Sequence, residues 1–186
     1  MKNLRSHVAL SLVFALYVAC SSKSSEDHSQ MVGTDGHEMH QEVQSEALPE
    51  TATKVAFKDE TTSQIFKAYF AVKDALIATD GEKVSVEAKK LEALLTDDAF
   101  TSIKADVQKI AESTDPKVQR ESFDSLSDQM ITLAKSSELT SGNLFLQHCP
   151  MANGNKGANW ISLTEEIRNP YFGDKMMTCG SVTEKI

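Results

Sequence analysis

Beyond residue 20 the chain has no run approaching the ~18 apolar residues that a membrane-spanning helix requires. It also lacks a cluster of Lys and Arg. With 19 basic against 27 acidic side chains its net charge is −8, which argues against nucleic acid as a partner. There is no Cys-x-x-Cys pair to lower one thiol's pKa for redox exchange, and no Ser/His/Asp or Cys/His signature surrounds the cysteines. The expectation is therefore a protein that is not an enzyme. The four segments that read as helical contain no His, no Cys and one Met, Met130, with no Glu-x-x-His pair of the kind that builds di-iron sites. Such helices predict a scaffold, with Met130 as core filler.

What is present is ordinary for a globular domain with extensions: 186 residues, 40% hydrophobic and 25% charged. Residues 1–20 read as an export signal, with Lys2 and Arg5 ahead of a short apolar segment from Val8 to Val18 that ends at Ala19 and Cys20. A small residue followed by Cys predicts lipid attachment at Cys20, although Tyr17 stands where a lipobox usually has Leu and Leu16 lies one place further back. The expected location is the cell envelope or periplasm, with a lipid anchor to a membrane. Cleavage before Cys20 would remove Lys2 and Arg5, leaving 17 basic against 27 acidic side chains, a net charge of −10.

Residues 21–59 have the polar composition of a solvated acidic tether. Within it His28, Met31, His37, Met39 and His40 form a sparse tract, of which His37, Met39 and His40 stand close enough to share one ion weakly. Residues 60–186 are expected to form the domain. Ile65, Phe66, Tyr69, Phe70, Val72, Leu76 and Ile77 recur at helical spacing after the candidate caps Thr61, Thr62 and Ser63, and Asp80 with Gly81 should end that helix. A second runs from about Glu82 to Leu95. Asp97 or Asp98 caps a third, which carries Phe100, Ile103, Val107 and Ile110 and stops near Ser113. Asp115 and Pro116 open a fourth, with Val118, Phe123, Leu126, Met130 and Leu133 facing inward. The predicted fold is mainly α, an antiparallel four-helix bundle with a small C-terminal β-hairpin and loop element.

That last quarter carries the soft donors. Leu144, Phe145 and Leu146 predict a strand leading into His148, Cys149 and Met151; Asn153–Gly157 predict a turn, and residues 158–163 a returning strand. Met176, Met177 and Cys179 follow about thirty residues after Cys149. If the two clusters meet, two readings stand. One is a soft-metal site, best suited to Cu(I), built from Cys149, Cys179, Met151 and Met176 or Met177, with His148 as a further donor or a neighbour. Strand alternation turns His148 and Cys149 to opposite sides, so one of them should face away. Zinc suits this set less well, since Met is a poor zinc donor. The other reading is a Cys149–Cys179 disulfide clamping the chain end, with the methionines as core residues and the element as a docking surface.

The spaced residues Cys149-Pro150-Met151-Ala152, Gly157-Ala158 with Trp160 and Ser162, Ile167-Arg168-Asn169-Pro170-Tyr171-Phe172-Gly173, and Met176 or Met177 with Cys179-Gly180 together resemble a bacterial domain of unknown function. Tyr69, Ala75, Leu76, Phe123, Leu126 and Ser127 extend the likeness over residues 60–183. That domain recurs in exported lipoproteins and at the C-terminus of periplasmic adaptor subunits of heavy-metal, including copper, efflux pumps. The resemblance implies handling of copper or a similar ion for efflux or sequestration, with an envelope efflux adaptor as a partner.

Overall fold

The computed structural model describes residues 54–186. Cys20, His28, Met31, His37, Met39 and His40 lie outside the described residues. The described chain is mostly helical and adds two small antiparallel sheets.

A strand precedes residue 60, the expected start of the domain. Strand β1, Ala56–Phe57, pairs antiparallel with β2, Leu139–Ser141. The reason is Phe57, which is buried and stacks on Phe66 with ring centroids 4.6 Å apart. Helix α1, Glu60–Ile77, is capped not by Thr61, Thr62 or Ser63 but by Asp59, whose Oδ2 accepts from both the main-chain N–H and the hydroxyl of Thr62 at 2.7 Å. The helix ends before Asp80. Ala78 closes it, Thr79 takes a left-handed φ of 56°, and Asp80 caps α2, Gly81–Leu94, through Lys83 N–H.

Asp97 caps a single 3-10 turn, Asp98–Phe100, that leads into α3, Thr101–Ala111. Asp115 then caps α4, Pro116–Ser136, with proline in the first turn where no N–H partner is needed. The α1–α2 and α3–α4 turns meet at one end of the helices. Fully buried Gln119 donates through Nε2 to the carbonyls of Gly81 at 2.9 Å and Ser113 at 2.6 Å. Gly81 permits this approach, because a β-carbon there would collide with Thr114 O. Val118, expected inward, is 43% exposed: Gln119 takes the inward position, where its Nε2 serves the turn carbonyls while its buried Oε1 has no partner.

One core joins helices and sheet. Helix α1 lies against α2, α2 against α3 and α3 against α4. On α4 rests β4, Ala158–Ser162. It belongs to a three-stranded sheet ordered β4-β3-β5, where β3 is Phe145–Cys149 and β5 is Ser181–Lys185, all antiparallel. The contact is aromatic. Trp160 and Tyr171 (centroids 6.1 Å apart) adjoin Phe123 (5.7 Å from Tyr171), which stacks on Tyr69 at 5.5 Å. The buried Tyr69 hydroxyl meets Ser127 Oγ at 3.0 Å and accepts from Ile161 N–H at 3.3 Å, so one phenol ties α1 to α4 and to β4. Burial raises its pKa, as the anion would lose its hydration there.

Candidate functional site

The site grows from the alternation of β3. Phe145, Gln147 and Cys149 point into the protein, while Leu146 and His148 lie on the other face. Gln147 uses its buried amide to hold the chain beyond β4, donating to Thr164 O at 2.9 Å and Glu166 O at 3.0 Å. Cys149, fully buried at the strand end, is where the returning chain arrives: its Sγ lies 2.6 Å from Cys179 Sγ, and both cysteines are free.

Three features bring Cys179 to that point. Asn169, with no exposed surface, donates its main-chain N–H to Met177 O and its side-chain Nδ2 to Cys179 O, each at 2.8 Å. Its Oδ1 accepts from Tyr171 N at 2.8 Å and Phe172 N at 3.3 Å. Arg120 anchors the same loop from α4 by donating Nε to Pro170 O at 2.8 Å and Nη2 to Leu76 O at 2.9 Å. Gly180 then passes β3 closely at φ 139°, where a β-carbon would stand 2.8 Å from His148 O and 3.0 Å from Trp160 Cη2.

The other expected donors distribute unevenly. Met151 stands two residues after Cys149 and is 47% exposed. Met176 and Met177 are half-buried in the turn before Cys179, and Met176 O accepts from Cys179 N–H at 3.2 Å. His148 is not brought to the pair: its Nδ1 lies 2.9 Å from Oδ1 of Asn159, its cross-strand neighbour, and its ring covers Gly157. Among the described residues no three His, Cys, Asp or Glu side chains gather in a group able to hold a metal ion. The neighbouring Cys149 thiol, with burial, raises the pKa of Cys179, and the N–H of Met151 opposes the rise.

In the sequence Asn169 and Gly180 stand out only through the resemblance, with no role attached to either. An Asn before Pro between two sulfur clusters is a signal of a structured loop, but its partners lie eight and ten residues away and cannot be read from spacing.

Fold and site together define a small helical domain with an appended sheet, where Cys149 at a strand end meets Cys179 in a turn. A family model described as "Protein of unknown function (DUF3347)" matches residues 65–142. The match runs from α1 to the end of β2 and stops before β3, so it supports a domain of unknown function and leaves Cys149 and Cys179 outside it. No curated protein and no solved structure matches the chain.

Proposed function

We propose that this chain is an exported, lipid-anchored protein that binds a soft metal ion, Cu(I), at the Cys149–Cys179 pair for efflux or sequestration. The observation that carries this reading is the approach of the two Sγ atoms to 2.6 Å, with exposed Met151 two residues after Cys149 along the chain as a further soft donor. In this reading the four helices serve as an antiparallel bundle that presents the sulfur element to an envelope efflux adaptor.

The donor set suits a soft ion, with one adjustment. For sulfur–metal bonds of about 2.3 Å, two thiolates on one ion stand roughly 3.7–4.6 Å apart. The thiols must therefore separate by about 1–2 Å on loading. Cys149 is held within β3, whereas Cys179 sits in a turn and is half-buried, so Cys179 would do the moving.

The same distance favours a second reading. At 2.6 Å the sulfurs stand nearer to disulfide geometry, about 2.05 Å, than to a shared ion. An oxidised pair closing this loop would stabilise the fold by about 3–4 kcal/mol in the chain-entropy model and make the element a clamped docking module.

Competition titration of the reduced protein with Cu(I) decides between them. Cys149→Ser and Met151→Leu should each weaken binding, and unchanged affinity in both would remove the metal reading. A free-thiol count on protein isolated without reductant should recover two thiols that copper protects; a pair that stays oxidised under mild reduction supports the clamp.

A further inference from the structure

We infer that Asn169 is the positioning residue of the sulfur site, setting where Cys179 stands relative to Cys149. The proposal rests on the metal reading for its second readout, and its first readout stands without it. Asn169 is bonded to carbonyls two residues apart, Met177 O through its main-chain N–H and Cys179 O through Nδ2, so one residue spans the tripeptide that ends at Cys179. It is itself immobilised: Oδ1 accepts from two main-chain N–H groups, its carbonyl accepts from Gly173 N–H at 3.1 Å, and the residue is wholly buried. Cys149 needs no such device, because the β3–β4 ladder pairs it with Ala158. The pair is thus asymmetric: Cys149 is fixed by a strand, and Cys179 by a loop in which the Asn169 amide makes the one side-chain hydrogen bond to the Cys179 carbonyl. Fixing a donor through an outer residue is how proteins tune a sulfur site without touching the ion.

Two thiol-dependent equilibria read this position. In the first, the Cys149 and Cys179 thiols release two protons and two electrons as their S–S bond forms, while one glutathione disulfide is reduced to two glutathione thiols. Pre-positioned sulfurs favour the protein disulfide. In the second, the reduced pair takes up Cu(I).

The full chain is compared with Asn169→Asp, which retains the Oδ acceptors and removes the Nδ2 donor, and Asn169→Ala, which removes both. Ser85→Ala serves as the control, since its hydroxyl donates to Ala111 O between α2 and α3 and never meets the loop. Well below the unfolding midpoint, both Asn169 variants should lower the glutathione equilibrium constant about tenfold or more, with Cu(I) affinity falling about ten- to hundredfold. Ser85→Ala should move the midpoint and neither constant. Folded Asn169 variants with an unchanged glutathione constant overturn the proposal, as does an equal fall in Ser85→Ala. Should the Asn169 variants fail to fold, the wild-type side-chain amide signals of Asn169 decide it: they should shift when the pair is oxidised, and constant signals overturn it. If the wild type takes up no Cu(I), the metal reading falls while the glutathione arm still judges Asn169.

Discussion

Asp59 shows how one side chain can determine where a helix starts. Its carboxylate accepts from the Thr62 hydroxyl and N–H, and these bonds hold its pKa below the usual 3.8. A depressed folded-state pKa supplies stability above the unfolded value and loses it as pH falls through the folded one. Asp59→Ala should therefore lower the thermal midpoint at pH 7, and the gap to wild type should narrow as pH falls below 3.8 and through the depressed folded-state pKa. A gap that persists in acid would show that the carboxylate's charge is not what matters. Gly173 is a second such residue. It holds φ 54°, and a β-carbon would collide with Thr79 Oγ1 and approach Ile77 O to 3.0 Å. Gly173→Ala should cost roughly 2 kcal/mol or more in urea unfolding, since the left-handed backbone and the clash add. At this scale the sequence is uneven evidence of structure. Asp115 before Pro116 is readable as a cap because its partners are local, whereas Gln119 displaces Val118 from the interior for the sake of carbonyls on another turn.

Elements follow the same division. The helices are legible because their apolar residues recur every three or four positions. Strands β3 and β4 are legible because turn formers at residues 153–157 separate two short apolar runs. Strand β5 is invisible to that method: all five residues from Ser181 to Lys185 are exposed, and only pairing with β3 makes them a strand. Docking of sheet on helices is concentrated at the Tyr69 hydroxyl. Tyr69→Phe leaves Ser127 Oγ and Ile161 N–H without that partner and should destabilise by about 1–3 kcal/mol. Native-state hydrogen exchange should show the Ile161 amide losing protection ahead of the amides of α2, which the phenol does not touch. Equal loss in both would mean that the phenol is not a local tie.

Over residues 54–186 the core is continuous, running from Phe57 and Ile65 through Phe123 and Met130 to Cys149, Trp160 and Tyr171. Continuous burial predicts cooperative unfolding. The chain's single tryptophan, Trp160, is buried in the sheet, so its fluorescence should change at the same urea concentration as helical circular dichroism. Two separate midpoints would show the sulfur element detaching while the helices remain folded. The thiols offer a further check on the intact molecule: a bulky alkylating reagent should modify half-buried Cys179 before fully buried Cys149, and the reverse order would contradict this arrangement.

Helical periodicity, the Asp115 cap, the hairpin and the opposite facing of His148 and Cys149 are all consequences of neighbours within a few residues, and the amino-acid order alone suffices for them. Placing Cys179 against Cys149 was settled only by folding. It depends on Asn169, Arg120 and Gly180 meeting main-chain atoms of other segments, with the cysteines thirty residues apart. Contacts at that separation form only when the loop's closure entropy is offset by buried hydrogen bonds and packing, and no local pattern records which bonds those will be.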